Sequence, residues 1–189
     1  MIRAAYELFV ARGYPATTMA DIAAQADVAV QTLYFSFGTK AQLLQHAYTY
    51  AVLGDSNDLP PQQQPWYTAM SEADDLGQAL RILIDNVAAV LARTAPLDEF
   101  VRAASFEPQP AQVRAVNEAR RRQAWQDMVR RLHSRFDLKH GLEPDRATDI
   151  LMLLMSPTTY QTLVGEYGWT SNEWRTWCID CITAQLFQT

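Results

Sequence analysis

Cysteine, histidine and long apolar segments are all scarce in this sequence, and each shortage excludes a class of protein. The chain has 2 cysteines and 3 histidines in 189 residues, and the histidines are scattered, without a cysteine or carboxylate at metal-site spacing. Its richest apolar run, residues 150–155, is far shorter than the roughly 18 residues of a membrane-spanning helix. The first residues lack a secretory signal. We therefore predict a cytoplasmic protein with no metal, no cofactor and no membrane partner.

Catalytic motifs are missing as well. The sequence has no G-x-S-x-G, no glycine-rich phosphate loop and no paired-carboxylate signature, so we expect no enzymatic activity. The single C-x-x-C, formed by Cys178 and Cys181, is compatible with a redox pair or half of a metal site. No second pair accompanies it, and we interpret these cysteines as small apolar residues on one helical face.

An excess of positive charge, which many nucleic-acid-binding proteins show, is also lacking. The formal net charge is −5, and three basic residues within residues 1–50 are balanced by three acidic ones. Net charge describes the whole molecule, however, whereas contact with DNA requires only a local patch. The charge balance therefore weakens a DNA-binding interpretation without excluding it.

Helical periodicity, by contrast, runs through almost the whole chain. Apolar residues recur at helical spacing and no segment alternates with a period of two, which predicts an all-α fold. Residues 54–66 contain three prolines and no helical period, so we predict a linker there. The linker would separate a small helical unit, residues 1–53, from a larger one, residues 67–189.

Helix boundaries in the small unit are marked by glycine and by capping residues. Gly13 ends the first helix. Thr18 caps the second, with Asp21 completing a variant of the capping box. The third helix ends at Phe37, and Thr39 caps the fourth.

The larger unit is predicted to contain longer helices. Periodicity places them over residues 76–93, about 111–136 and about 144–164, with a short piece around Phe100 after the first. Pro157 should kink the helix that contains it. Ser171 is predicted to cap the last helix.

The second and third helices, joined by a short turn and preceded by another helix, have the layout of a helix-turn-helix. At 100° per residue, the third helix turns Val30, Leu33 and Phe37 toward the core. Its opposite side, here called the outward face, is polar or aromatic and carries no negative charge. Such a face suits the major groove, where amides and hydroxyls contact base edges and an aromatic ring meets a thymine methyl group. The outward face consists of Gln31, Thr32, Phe35 and Ser36.

Phosphate contacts are expected around the outward face. Tyr34 and Lys40 flank it, and the start of the second helix at Thr17 and Thr18 offers backbone N–H groups at a positive dipole end. From geometry alone, a helical hairpin with a solvated polar face is an equally good interpretation.

The first fifty residues also carry a set of motif positions in a specific order and spacing. This set resembles the DNA-binding domain of the TetR family, which implies about nine helices in all, a homodimer and a double-stranded operator as partner. The resemblance implies DNA contacts by Thr18, Lys40, Tyr34 and the outward face. The motif positions are residues 4–9, 13–14, 17–23, 28, 32–34, 37–40 and 43–44.

Three residues depart from the family pattern. Asp27 stands where the turn usually has glycine, and Asp tolerates a positive φ better than most residues. Ala29 replaces a Ser or Thr cap, which should cost about 1 kcal/mol at the start of the third helix. Ser36 replaces a common His or Tyr, so one phosphate contact is expected to be lost. Family members usually carry a basic arm before the position of Met1, and we expect this chain to begin late.

Two features of the larger unit predict a dimer interface. Residues 150–155 are apolar all round, so both sides of that helix need a cover. The last helix has one apolar stripe, and this region loosely resembles the four-helix dimer interface of the family. A monomer core is the alternative explanation. The candidate interface residues are Ile150, Leu154, Trp174, Trp177, Cys178, Cys181 and Ile182.

Large aromatic and methionine side chains in the larger unit are candidate walls of an effector pocket. They suit an apolar or aromatic small molecule, although each is equally compatible with an ordinary core. An inward Arg114 or Arg121 would instead suit an acidic effector. The candidate pocket residues are Trp66, Tyr67, Phe100, Phe106, Trp125, Met128, Met152 and Tyr160.

These features predict a sequence-specific DNA-binding transcriptional regulator, with residues 1–53 as its helix-turn-helix domain and residues 67–189 as its effector-binding and dimerisation domain. The family resemblance implies a repressor that a small molecule releases from its operator. The alternative is a helical small-molecule-binding protein of the same fold whose DNA binding is weak or lost. Repression and activation are not distinguished by the sequence.

Overall fold

A computed structural model describes residues 1–54 and 59–188, and it is built from helices. An isolated antiparallel bridge joins Leu138 to Phe187. The all-α prediction is confirmed, with nine helices of seven or more residues and one single-turn helix in the described ranges. The helices are α1 Ile2–Ala16, α2 Met19–Gln25, α3 Val30–Phe37, α4 Lys40–Leu53, α5 Pro65–Glu72, α6 Leu76–Ala103, α7 Pro108–His133, α8 Pro144–Leu154, α9 Pro157–Tyr160 and α10 Ser171–Leu186.

The amino-terminal helices α1 to α4 share one apolar core. Phe9, Ile22, Leu33 and Leu43 are each completely buried in it. This core does not end with α4, because side chains of α6 and α7, including fully buried Leu97, pack into it. The small unit is therefore packed directly against the long helices that follow it.

A second core lies among the helices that follow α4. Buried side chains of α6, α7, α8 and α10 meet there, with Trp174 completely enclosed and Tyr160 packed edge-on to its ring at 5.0 Å between centroids. Across the described residues, no helix is both long enough and apolar enough to cross a membrane.

Local signals placed the starts of α2 and α4 and the end of α3 correctly, whereas the first helix does not end at Gly13 as predicted. Thr18 with Asp21, and Thr39 with Gln42, form complete capping boxes at the starts of α2 and α4. Gly13 has φ 79° and interrupts α1, after which one further turn runs to Ala16. A side chain at this glycine would be strained, and its Cβ would lie only 3.1 Å from the ring of Phe100.

Several predicted boundaries in the larger unit are wrong. The helix predicted to stop at residue 93 continues to Ala103 and passes through Phe100, in spite of Pro96. Buried neighbours on both sides of Pro96, Ala95 and Leu97, hold that helix together through packing.

Pro157 starts a helix rather than kinking one. It occupies the first position of α9, where its missing N–H is not needed, and Ser156 caps that helix by accepting from the Thr159 N–H. α9 continues as a π-helix over Gln161–Glu166. The cap of α10 is Thr170, which forms a capping box with Glu173, and not the predicted Ser171.

The predicted linker is partly helical. Pro61–Gln63 forms a 3-10 turn and α5 begins at Pro65. Residues 55–58 of the predicted linker lie outside the described residues.

α3 has no side-chain cap, as its sequence predicts. Ala29 occupies the N-cap position with extended backbone (φ −69°, ψ 145°) and is exposed. We expect Ala29→Ser to raise the free energy of unfolding by about 0.5–2 kcal/mol, because a serine hydroxyl would accept from a free N–H of α3. Urea unfolding of the two proteins measures this difference. Ala24→Ser, at an exposed position inside α2, should instead be neutral or slightly destabilising. An equal effect of both substitutions would contradict the capping explanation.

Candidate nucleic-acid interface

The two sides of α3 differ sharply in exposure. Leu33 is completely buried, whereas Phe35 is 94% exposed and Tyr34 53% exposed. All four residues of the outward face, Gln31, Thr32, Phe35 and Ser36, are exposed. Phe35 and the neighbouring Tyr34 together leave two aromatic rings uncovered on this side of α3.

The turn before α3 sets the direction of this helix. Asp27 has φ 53°, in the left-handed region, as expected for a turn position that is usually occupied by glycine. The N–H of Val28 then donates to the carbonyl of Ala23 at 3.0 Å, closing the turn. At the other end, the Phe37 ring packs edge-on against His46 of α4, with 5.3 Å between centroids. α3 is thus held at both ends while its outward face stays free.

Thr18 lies at the exposed start of α2 but is already engaged by its own helix. Its N–H donates to the Asp21 carboxylate at 2.9 Å, and its hydroxyl donates to the same oxygen at 2.6 Å. These hydrogen bonds lower the pKa of Asp21. Any phosphate at this helix start would therefore approach a site that carries a carboxylate. A DNA contact by Thr18 stays a prediction.

The structure contradicts the phosphate contact predicted for the backbone N–H of Thr17. Thr17 is completely buried, and its hydroxyl donates to the carbonyls of Gly13 at 2.8 Å and Leu8 at 3.2 Å. One of these carbonyls belongs to Gly13, where α1 is interrupted. The threonine side chain therefore secures the end of α1 and does not face solvent.

Lys40 reaches inward across the same region. Its Nζ donates to the carbonyls of Tyr14 at 2.8 Å and Thr17 at 3.0 Å, and it lies 4.1 Å from the centroid of the Tyr14 ring. Burial lowers the pKa of this lysine. Two of its three N–H donors are used inside the protein, and the predicted phosphate contact through the third stays a prediction.

Polar contacts that the sequence analysis missed join α4 to α6. Arg93 donates from Nε to the carbonyl of Ala51 at 2.8 Å and from a terminal nitrogen to that of Val52 at 3.3 Å. A guanidinium at the carboxyl end of a helix satisfies free carbonyls and opposes the negative end of the dipole. The Tyr6 hydroxyl of α1 donates to the carbonyl of Arg93 itself at 2.9 Å.

The second missed contact is buried. The Tyr48 hydroxyl on α4 donates to Oδ1 of Asp98 on α6 at 2.9 Å, and Asp98 is only 6% exposed. One signal for it was present in the sequence: Asp98 lies three residues after buried Ala95 and three before buried Val101, on the apolar stripe of α6. A carboxylate at such a position requires an explanation.

Burial dominates the ionisation of Asp98. It raises the pKa of this carboxyl, the Tyr48 hydrogen bond lowers it, the Glu118 carboxylate raises it, and the guanidinium groups of Arg114 and Arg121 lower it. The net direction is upward. The folded protein therefore holds the Asp98 proton more tightly than the unfolded chain does.

This difference predicts a pH-dependent stability. Below the unfolded pKa of about 3.9, Asp98 is protonated in both states and carries no penalty. As pH rises through its raised folded pKa, stability is lost. Asp98→Asn keeps an acceptor for Tyr48 and cannot ionise. We expect this variant to be more stable than the wild type at pH 8, on the order of 1 kcal/mol, and the difference to shrink toward pH 4.5.

Urea unfolding at several pH values between 4.5 and 8 measures this effect. Asp137→Asn, at an exposed aspartate, is the matched control and should show no such trend. A stability difference for the Asp98 variant that stays constant across this range would contradict the prediction.

The candidate pocket residues divide into two groups. Trp125, Met128 and Tyr160 are buried in the second core, and Trp66, Tyr67 and Met152 pack against it. The other two are misplaced: Phe100 lies against Gly13 of α1, and Phe106 is 81% exposed. Both were chosen by residue type alone, which carries no information about position.

The two arginines predicted as possible partners of an acidic effector differ in exposure. Arg114 is exposed. Arg121 is half-buried, donating to the carbonyl of Met152 at 2.9 Å and to the Glu118 carboxylate at 2.9 Å. The terminal nitrogens of Arg121 therefore already have partners within the protein.

The candidate dimer residues also fall into two groups, buried and partly exposed. Trp174, Cys178 and Ile182 are completely buried within the protomer, so their selection for direct contact with a partner is wrong. Four others remain partly exposed and available to a partner, and their role in a dimer stays a prediction. They are Ile150, Leu154, Trp177 and Cys181.

Comparison with known proteins places this geometry in context. Residues 1–47 match the sequence model of the bacterial regulatory proteins of the tetR family. Among curated proteins, none matches this chain.

Three solved structures share the fold over nearly the whole chain. A protein from Rhodococcus sp. assigned to the TetR-family transcriptional regulators is 17% identical, with a TM-score of 0.72, over 97% of this chain and 94% of that one. NalD from Pseudomonas aeruginosa, the secondary repressor of the MexAB-OprM multidrug efflux pump, is 21% identical, with a TM-score of 0.70, over 99% and 95%. A protein from Saccharomonospora viridis described as a transcriptional regulator, in complex with choline, is 17% identical, with a TM-score of 0.71, over 100% and 96%. The amino-terminal helices of this chain thus match the model of the tetR family of bacterial regulatory proteins, and the chain as a whole shares the fold of these solved structures.

Proposed function

We propose that this protein is a sequence-specific DNA-binding repressor that a small-molecule effector releases from its operator. The observation that carries this proposal is the contrast within α3, where Leu33 is completely buried and Phe35 is 94% exposed. Amide, hydroxyl and aromatic groups on the free side match the hydrogen-bonding and methyl groups of a major groove.

A homodimer is part of the proposal, because one eight-residue recognition helix contacts too few base pairs for a unique site. The two copies of α3 would need to lie about 34–36 Å apart to enter successive major grooves. Partly exposed apolar side chains near the end of the chain support such an assembly. Trp169 and Trp177 pack edge-on with 6.0 Å between centroids, and Tyr167 nearby is 69% exposed.

Release by an effector is supported by the way α4 is held. α4 carries Lys40 at one end and is bonded to α6 through Arg93 and Tyr48, so a change among the later helices reaches the DNA-binding helices through it. A ligand acts only by binding the DNA-incompetent arrangement more tightly. The choline complex of the Saccharomonospora viridis protein is a precedent in this fold for a bound small molecule.

Selection of bound fragments from genomic DNA tests the proposal. The expected result is enrichment of a partly palindromic sequence with half-sites about one helical turn apart. Affinity for this site should fall as salt rises, with a log–log slope of about 0.9 for each phosphate contacted. A reporter with the site between promoter and gene should show lower expression when the protein is present. Absence of any enriched sequence would overturn the proposal.

A small-molecule-binding protein with weak DNA affinity is the second candidate. The balanced charge of residues 1–50 and the engagement of Lys40 by two carbonyls favour it. Ligand binding without fragment enrichment would support this candidate instead.

A further inference from the structure

The two helices of the candidate DNA interface, α2 and α3, carry no positively charged side chain. No lysine or arginine stands between Arg12 and Lys40, a stretch that contains both helices. The Arg12 guanidinium, on α1, lies 3.9 Å from the carboxylate of Asp21, and Lys40 Nζ donates to two backbone carbonyls. The side chains that α3 itself presents to solvent are all neutral.

This neutrality removes the commonest specific base contact of the major groove from α3. That contact is made by an arginine or lysine that donates to O6 and N7 of guanine. The outward face carries amide, hydroxyl and aromatic groups instead. A glutamine amide pairs with N6 and N7 of adenine, and an apolar side chain contacts the 5-methyl group of thymine. The chemistry of α3 therefore favours A·T base pairs over G·C base pairs.

Phe35 and Gln31 are the two largest side chains of the outward face, and they lie one turn apart. Phe35 is 94% exposed, so its ring gains free energy when another apolar group covers it. Side chains four residues apart on a helix have Cβ atoms about 5–6 Å apart, and successive base pairs are about 3.4 Å apart. The two side chains therefore reach base pairs that are neighbours or next neighbours.

We propose that each half-site of the operator contains a short run of A·T pairs, in which the Phe35 ring covers a thymine methyl group and Gln31 pairs with an adenine one or two base pairs away. Recognition by α3 then depends on a methyl group and not on guanine, and Phe35 is a specificity-determining residue. This inference rests on the proposed function, because it names the class of duplex that the same helix face binds.

Replacement of thymine by deoxyuridine in the selected operator fragment tests the methyl contact, because it removes the methyl group and leaves every hydrogen-bonding group in place. Each thymine of one half-site is replaced in turn, and affinity is measured by fluorescence anisotropy. One replacement should weaken binding of the wild type by about fourfold, as expected for the loss of one buried methyl group. The same replacement should not change binding by Phe35→Ala, because the shorter side chain leaves the methyl group uncovered.

Two variants on the same face are matched controls. Gln31→Ala should weaken binding to both fragments and keep the full difference between thymine and deoxyuridine. Thr32→Ser keeps its hydroxyl and loses the other methyl group of this face that could contact thymine, and it should keep the difference as well. All three positions are exposed, so each variant should have the circular dichroism of the wild type.

The outcomes separate this inference from the repressor function. Enriched half-sites without A·T pairs, or a wild type that is insensitive to every thymine replacement, would overturn the inference and leave the repressor function standing. An equal loss on deoxyuridine for the wild type and Phe35→Ala would do the same, and loss of the difference in Thr32→Ser alone would overturn the role of Phe35. If no sequence is enriched at all, the proposed function itself fails, and the inference fails with it.

Discussion

Alanine substitution of all four residues on the outward face of α3 is expected to abolish sequence-specific DNA binding and to leave the fold intact. Each base contact of this type contributes about 1–3 kcal/mol of discrimination, so loss of all four should lower operator affinity by about a thousandfold or more. All four side chains are exposed, and exposed substitutions usually change stability by less than about 0.5 kcal/mol each.

Fluorescence anisotropy with a labelled operator fragment, beside a scrambled fragment of the same length, measures this loss. The variant should bind both fragments with the same low affinity, because phosphate contacts persist and sequence discrimination is gone. Gln112 and Gln123, both exposed on α7, provide a control in which alanine should not change operator binding. Retention of operator preference by the four-residue variant would show that another surface recognises the sequence.

Truncation of the residue behind this face should lower both the stability of the protein and its affinity for the operator. Leu33 is completely buried, and Leu33→Ala is expected to lower the free energy of unfolding by about 2–5 kcal/mol, because a cavity replaces its side chain. α3 has only eight residues and no side-chain cap, so this anchor largely determines its position. Operator affinity should therefore fall together with stability.

Urea unfolding and hydrogen exchange of the α3 amides measure that loss. Leu33→Met nearly conserves volume and should cost less than about 1.5 kcal/mol. Leu59→Ala makes the same truncation at a side chain that is 46% exposed and should have little effect. A Leu33→Ala protein as stable as the wild type would mean that α3 is held in some other way.

The two experiments together separate recognition from support. Loss of operator affinity at full stability identifies the outward face as the contact surface. Loss of both identifies Leu33 as its support. If both variants lost stability equally, the division of α3 into two faces would not explain the function.

Most of α3 and its surroundings could be predicted because the relevant forces act over a few residues. The 100° rotation per residue separates Leu33 from Phe35 whatever the rest of the chain does. Capping boxes at Thr18 and Thr39 join atoms three residues apart. The positive φ of Asp27 likewise follows from the local requirement of a tight turn.

Predictions failed where a side chain had to be assigned a neighbour. Thr17 directly precedes the start of α2 and was therefore predicted to offer its backbone N–H to a phosphate, yet the whole residue is buried against α1. Trp174 lies on an apolar stripe, and a stripe requires burial without specifying whether its own chain or a partner supplies the cover. The structure shows that its own chain does.

By itself, the sequence determined the helical class, the short amino-terminal helices and the division of α3 into an anchored and a free face. Each of these depends on spacing within one or two helical turns. Only the tertiary structure decided that Asp98 meets Tyr48 and that Arg93 holds the end of α4. Those contacts join residues 41 to 50 positions apart, and their formation depends on how whole helices pack, which no local pattern specifies.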